Sequence, residues 1–295
     1  MIRGTIIKAT AGFYYVYAYD RRITYACKAR GIFRKENIKP LVGDRVEIEI
    51  THEGDREGNV ENILPRDNAL VRPAAANVDR ALVIFAMKDP KPSFALLDRF
   101  LVSMENQGIK SIICFNKEDL ADPSDRENIM DIYAPSGYKV IFTSAKKKEG
   151  IKDLEKSLEG HVTVVAGPSG AGKSSLINII SPQAFIETGD VSRKIKRGRH
   201  TTRHVEMFPL GDEGTFIMDT PGFSSLFLKD MEREDLENSF PEIKRYADGC
   251  YYNDCSHTKE PSCMVIKALG EGMISPVRYG HYVDFYNELK DMRKY

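Results

Sequence analysis

Residues 162–176, VTVVAGPSGAGKSSL, constrain this chain more than any other stretch. An apolar run (Val162, Val164, Val165, Ala166) breaks into a glycine-rich turn, and good helix formers follow. Gly167, Gly172, Lys173 and Ser174 satisfy G-x-x-x-x-G-K-[ST] in the strand–loop–helix setting the motif requires. Glycines let the backbone curl so that its N–H groups face inward, and the new helix turns its positive end toward an anion. The loop Gly167, Pro168, Ser169, Gly170, Ala171, Gly172, Lys173, Ser174, Ser175 is thus a candidate phosphate cradle. Lys173 would reach the outer phosphates of a nucleoside triphosphate, and the Ser174 hydroxyl would hold Mg²⁺. The competing reading is a strand-to-helix turn with an incidental lysine.

At 295 residues the chain has room for two or three domains. Lys plus Arg and Asp plus Glu are both 43, so any nucleic-acid contact must come from a local basic patch rather than net charge. No apolar run reaches the length of a membrane span, and no signal-peptide core follows Met1, so the expected location is cytoplasmic.

Residues 1–64 read as strands. Thr5–Thr10, Phe13–Tyr19, Arg22–Lys28 and Arg45–Ile50 are rich in β-branched and aromatic residues, with breaks at Ala11-Gly12, Asp20-Arg21 and Gly43-Asp44. Short strands packed this closely predict a small barrel resembling an oligonucleotide-binding (OB) fold, because closure removes sheet edges. Tyr14, Tyr15, Tyr17 and Tyr19 beside Arg21, Arg22, Lys28 and Arg30 would either stack bases and hold phosphates or simply fill the barrel. Residues 63–76, with two prolines and three consecutive alanines, read as a surface linker. From Asp79 strands and helices alternate: strands at Arg80–Met87, Ser111–Phe115 and Tyr138–Phe142, helices at Phe94–Asn106, Ser124–Tyr133 and Ile151–Leu158. This alternation predicts a parallel sheet covered by helices. Residues 188–204 carry Arg193, Lys194, Lys196, Arg197, Arg199 and Arg203 and read as a mobile basic segment that either contacts RNA phosphates or is simply a solvated loop. A strand pair follows at Val205–Leu210 and Thr215–Met218, and the chain from Asp230 is helical in texture, ending in an amphipathic helix over 279–295.

Three further motifs sit at strand ends. Asn116-Lys117-Glu118-Asp119 fits N-K-x-D: the Asp119 carboxylate can accept from the ring N–H and exocyclic amine of guanine, a donor pair adenine lacks on that edge. Lys117 would lie along the base, and Asn116 would tie the loop to its neighbours. Thr143-Ser144-Ala145-Lys146 follows the next strand, where the Ser144-Ala145 backbone would close over the guanine oxygen. Asp219-Thr220-Pro221-Gly222 fits D-x-x-G, with Asp219 holding Mg²⁺ through water and the Gly222 N–H sensing the γ-phosphate. Thr201 or Thr202 would complete the Mg²⁺ shell, and the pattern does not choose between them.

These are GTPase parts in rotated order, with N-K-x-D and S-A-K ahead of the phosphate loop. With a preceding barrel and a following cysteine cluster, the chain resembles the RsgA (YjeQ/YloQ) family of circularly permuted GTPases. Its GPSGAGKSS, NKED, TSAK, GRHTT and DTPG elements carry the likeness. The resemblance implies a GTPase stimulated by the small ribosomal subunit and assisting its late maturation, with GTP or GDP, the subunit and its rRNA as partners, as a monomer. The expected architecture is a multidomain α/β chain: an OB-like barrel (1–64), a permuted P-loop GTPase domain (65–229) and a helical zinc-binding domain (230–295). Phe223 stands where many signalling GTPases carry a water-positioning glutamine, and a phenyl ring cannot orient water. His200, beside the threonines, is the candidate for that task, and contact with RNA phosphate is its alternative.

Cys250, Cys255, His257 and Cys263 supply three sulfurs and one nitrogen, a full tetrahedral set for a structural Zn²⁺. Cys27 and Cys114 read as buried apolar residues, and His52, His161, His204 and His281 receive no role. Two other readings compete with a ribosome-activated GTPase. One is an RNA-binding assembly module that uses GTP as a switch without hydrolysis of its own, which Phe223 favours. The other is a nucleotide kinase, which N-K-x-D, S-A-K and D-T-P-G oppose.

Overall fold

The structure, a computed structural model, describes residues 1–31, 33, 38–71, 73–182, 205–211, 214–219, 231–232 and 235–292. The chain divides into two compact units: Met1–Arg80 with Glu155–Val165 and Ser174–Phe223, and Ala81–Leu154 with Ala166–Lys173 and Ser224–Tyr295.

In the first unit, β1 (Ile2–Thr10), β2 (Phe13–Ala18), β3 (Ile23–Ala29), β4 (Arg45–His52) and β5 (Glu57–Ile63) run in the order β1-β2-β3-β5-β4, and β4 returns to pair with β1. That closes a five-stranded barrel. Alternation fills it: Val16 and Ala18 of β2, Tyr25 and Cys27 of β3, and Val46 and Ile48 of β4 are buried together. Burial pushes the Cys27 thiol up to about 12, as an inert apolar role requires. The tyrosines divide. Tyr14 packs against the barrel core, while Tyr17 meets Tyr19 and Phe216 edge to face with centroids 6.5 and 6.1 Å away. The Tyr19 hydroxyl bonds that of Thr5.

The expected surface linker is corrected. After β5, β6 (Ala69–Leu70) and β7 (Ala75–Ala76) form a hairpin, and Ala75, Ala76 and Val78 are fully buried. The Ala76 N–H donates to Val42 O at 2.8 Å, and the approach needs Gly43, where a Cβ would lie 2.0 Å from the Ala76 carbonyl oxygen. Further along, β11 (Val162–Ala166) pairs in parallel with β13 (Phe216–Asp219), and β12 (Glu206–Pro209) pairs antiparallel with β13.

The second unit carries β8 (Arg80–Ala86), β9 (Lys110–Asn116) and β10 (Lys139–Phe142) in the order β10-β9-β8, with β9 and β10 parallel. These strands are near-continuous apolar runs, as strands covered on both faces must be. Helix α1 (Phe94–Glu105) starts at Ser93, whose hydroxyl accepts the Leu96 N–H, and α2 (Pro123–Tyr133) opens with an Asp122/Asp125 capping box. The next helix, α3 (Ile151–Leu158), leads toward β11, and α4 (Lys173–Ile180) follows the phosphate loop. Beyond them α5 (Pro241–Ala247), α6 (Met264–Gly270) and α7 (Pro276–Met292) enclose a core of Leu236, Phe240, Ile243, Val265, Ile274, Tyr282 and Phe285. The last helix begins at Pro276, earlier than its expected start, because proline fits the first helical position.

A buried ionic knot crosses this core. Arg278 of α7 is fully buried and donates to Asp98 of α1 at 2.5 Å and to both carboxylate oxygens of Glu242 on α5. His281, given no role by the sequence pattern, meets the other Asp98 oxygen at 2.5 Å. Burial works to neutralise Arg278, but the two carboxylates outweigh it and hold the guanidinium charged. Among the described residues no helix is long and apolar enough to cross a membrane.

Candidate functional site

The N-K-x-D and S-A-K loops follow the carboxyl ends of the parallel strands β9 and β10, where open α/β sheets bind ligands. Asn116 closes β9, is 1% exposed, and is the hub. Its Nδ2 donates to the Ala171 carbonyl of the phosphate loop at 3.0 Å. Its Oδ1 accepts from the Ala145 N–H at 3.1 Å and from Thr143 Oγ1 at 3.3 Å. One side chain thus fastens the phosphate loop to the S-A-K loop.

The next residue turns the chain. Lys117 adopts a left-handed conformation (φ 63°), which lifts Glu118–Leu120 into a 3₁₀ turn and swings Asp119 toward Ser144. Ser144 Oγ donates to Asp119 Oδ1 at 2.6 Å and accepts from the Lys147 N–H at 3.1 Å. That hydroxyl, with help from Lys146 and Lys147, holds the Asp119 carboxyl below the usual carboxylate range. The result is an ionised acceptor fixed in direction. The Lys117 ammonium donates to the Asp89 carbonyl, so the loop after β8 joins the assembly. That contact was not legible in the sequence, since a backbone acceptor leaves no side-chain signature.

The phosphate loop explains its own glycines. A Cβ on Gly167 (φ +134°) would lie 2.0 Å from the Ile84 carbonyl oxygen, and one on Gly172 (φ +90°) would lie 2.2 Å from Asn116 Nδ2. Lys173 Nζ donates to the carbonyls of Gly167 and Pro168 at 2.9 and 2.7 Å, so the ammonium lies over its own loop. Ser169 and Gly170 complete the loop in this unit, and Gly170 faces the Pro90 ring. Ser174 and Ser175 begin the part of α4 that belongs to the first unit, both half-buried. Asp219 ends β13 in that unit, in register with Val165. His200, Thr201, Thr202, Gly222 and Phe223 lie outside the described residues.

The cysteine cluster also comes together. The donor atoms of Cys250, Cys255, His257 and Cys263 all lie within 4.8 Å of one another. His257 Nδ1 is 3.5 Å from both Cys250 Sγ and Cys263 Sγ, and those sulfurs are 3.8 Å apart. A tetrahedron with ordinary Zn–S and Zn–N bonds has S–S edges of about 3.8 Å and S–N edges of about 3.5 Å. The donor set therefore fits a tetrahedral cation and can hold a metal. Burial pushes the Cys255 thiol up to about 12 and raises Cys263, so a cation is what would favour the thiolates here. Two α7 hydroxyls brace the loop, Tyr279 on His257 O at 2.8 Å and Tyr282 on Ser256 O at 3.0 Å. Glu237, which no spacing rule singled out, accepts from His257 Nε2 at 2.8 Å.

Family comparisons agree with this geometry. The model described as "RsgA GTPase" matches residues 63–229, and that described as "RsgA N-terminal domain" matches residues 3–59. The chain belongs to the RsgA GTPase family. A relative from Agathobacter rectalis, named small ribosomal subunit biogenesis GTPase RsgA, is 52% identical, covering 99% of each chain. A second, of the same name from Alkaliphilus metalliredigens, is 45% identical over 100% of both. Among solved structures, YloQ, described as a circularly permuted GTPase, aligns with TM-score 0.81 and 42% identity over 99% of this chain and 96% of its own. YjeQ from Thermotoga maritima aligns with the same TM-score of 0.81 at 34% identity, over 98% of both chains. The resemblance drawn from motif order is borne out, and so is the expected architecture of a family barrel followed by a permuted GTPase fold.

Proposed function

We propose that this chain is a GTP hydrolase that assists late maturation of the small ribosomal subunit, binding the subunit and its rRNA and coupling nucleotide state to release. The observation that carries the reading is the Asn116 hub, which brings a phosphate loop and a guanine-selecting carboxylate into one assembly. The names of full-length relatives supply the biological setting.

Each residue has a task. Asp119, charged and aimed by Ser144, accepts both donors of the guanine edge and rejects adenine, and the Ser144-Ala145 backbone closes over the base oxygen once the Ala145 N–H leaves Asn116 Oδ1, its acceptor in this structure. Lys117 lies along the base. The backbone of residues 167–175, with Lys173, cradles and neutralises the phosphates. Ser174, Asp219 and one of Thr201 and Thr202 would hold Mg²⁺, which when bound offsets charge on the β- and γ-phosphates. Gly222 senses the γ-phosphate, and His200 orients the attacking water that Phe223 cannot. Cys250, Cys255, His257 and Cys263 hold a structural Zn²⁺, a closed four-donor site with no position left for chemistry. The domains are 1–64, 65–229 and 230–295. The protein is a cytoplasmic monomer.

The test is GTP and ATP hydrolysis by the purified protein, with and without purified small ribosomal subunits. Slow GTP-specific turnover that rises strongly with the subunit is expected. Turnover that the subunit leaves unmoved would remove the ribosomal assignment, and GTP binding without hydrolysis in either condition would favour the switch module that Phe223 suggests.

A further inference from the structure

The cysteine–histidine cluster has a carboxylate beside it, Glu237, which is not one of its four donors. His257 is 1% exposed, so both ring nitrogens must be satisfied inside the protein. Nδ1 faces the sulfurs of Cys250 and Cys263 at 3.5 Å, and Nε2 faces Glu237 Oε2 at 2.8 Å. A neutral imidazole carries one proton, and a ring nitrogen that ligates a cation must give up its own. Nδ1 as ligand therefore requires the proton on Nε2, where the only contacting group among the described residues is the Glu237 carboxylate.

We propose that Glu237 is the outer-shell carboxylate of the metal site: it fixes His257 in the Nε2–H tautomer and aims Nδ1 at the cation. The assignment rests on the proposed metal reading and goes beyond its four ligands. Carboxylate-held histidines of this kind tune metal affinity by roughly 10- to 100-fold. The arrangement is built from separate elements, which is why spacing rules miss it. Glu237 stands in the 3₁₀ turn Glu237–Ser239, upstream of α5, whereas His257 stands in the cysteine loop with a left-handed backbone (φ 57°). Tyr279 of α7 pins the His257 carbonyl at 2.8 Å while Glu237 pins its ring. Backbone and imidazole are each held by a separate partner, so the ligand needs little reorganisation on binding. A bound cation would in turn tie the cysteine loop to the turn that carries Glu237.

The experiment uses the full chain loaded with zinc. Metal content is measured first: a chain that retains no zinc overturns the metal reading and this assignment with it. With zinc bound, two measurements address Glu237 alone. Long-range ¹H–¹⁵N correlation of the histidine rings should show His257 protonated on Nε2 and metal-bound through Nδ1. Competition with a chromogenic chelator should show roughly 10- to 100-fold weaker zinc retention in Glu237→Ala. Glu237→Gln keeps an acceptor oxygen without the charge, and should recover part of that loss. Zinc bound through Nε2, or Glu237→Ala retention within about twofold of the parent, would overturn the assignment while leaving the metal site standing. If Glu237→Ala fails to fold, the ring spectrum of the unaltered chain and the Gln variant still decide.

Discussion

Asp119 is the side chain on which the proposed guanine selectivity rests. Its charge faces water in part, yet the Ser144 hydroxyl holds it ionised and directed. Asp119→Asn replaces one acceptor with a donor, so the guanine edge would meet one matched and one opposed group. We expect GTP affinity to fall roughly 10- to 100-fold, the cost of about 1–3 kcal/mol for one unmade bond, with xanthosine triphosphate gaining where guanosine loses. Nucleotide competition by fluorescence checks both directions. Because the folded-state pKa is depressed, the contribution of the carboxylate is fully present above the ordinary value near 3.9 and fades only as pH falls through the lower folded value. Guanine selectivity should therefore be flat from about pH 5 to 8 as far as Asp119 is concerned. At this scale the motif residues were legible, because each motif is a local spacing. Glu237, Asp98 and His281 were not, because their partners stand far away in the chain and no periodicity links them.

Packing decides matters at the scale of elements. Helices α1, α5 and α7 are pinned by Arg278, which sits fully buried between Asp98 and Glu242. Replacing Arg278 by Met would leave the buried Glu242 carboxylate without its guanidinium and Asp98 with His281 alone, and we expect a loss of about 3–5 kcal/mol by urea unfolding. Replacing Arg278, Asp98, Glu242 and His281 together by apolar residues of similar volume should recover most of it, since a buried ion pair contributes little once none of its members is stranded. Gly172→Ala is a second test at this scale. Its Cβ would fall 2.2 Å from Asn116 Nδ2, so the hub must move and the phosphate loop with it. Weaker GTP binding with near-normal stability is the expected result, read by titration and thermal unfolding together. Strong helices and apolar strands were visible in the sequence from their periodicity. β5 was not: its sequence EGNVENI holds only two β-branched residues, and the ladder to β4 forms it rather than propensity. The buried hairpin of β6 and β7 was likewise hidden, because Pro-Ala composition looks the same on a surface as in a close backbone contact.

The whole molecule is electrically balanced, with 43 basic and 43 acidic side chains, so an affinity for RNA must be a local property. Motif order made the permuted fold legible: Gly160, at the join between the last helix of the rotated order and its first strand, has φ +72° and bonds Thr215 Oγ1 at 2.9 Å. The basic segment over 188–204 falls after the phosphate loop in this order and lies outside the described residues, and its six Lys and Arg side chains make it locally basic. If that segment lies on rRNA phosphates, each contact releases counterions, and the logarithm of affinity falls with the logarithm of salt by about 0.7 per neutralised phosphate on single strands. Changing Arg193, Lys194, Lys196 and Arg197 to Gln should then flatten that slope by up to about 3 and weaken subunit binding most at low salt. GTP affinity measured without subunits should barely move, because the proposed nucleotide contacts lie on the Asn116 assembly and its loops and not on this segment. An unchanged slope would instead place the RNA contacts elsewhere, with the outward face of the barrel, where Lys28 stands over Phe13 at 5.4 Å, as the next surface to neutralise.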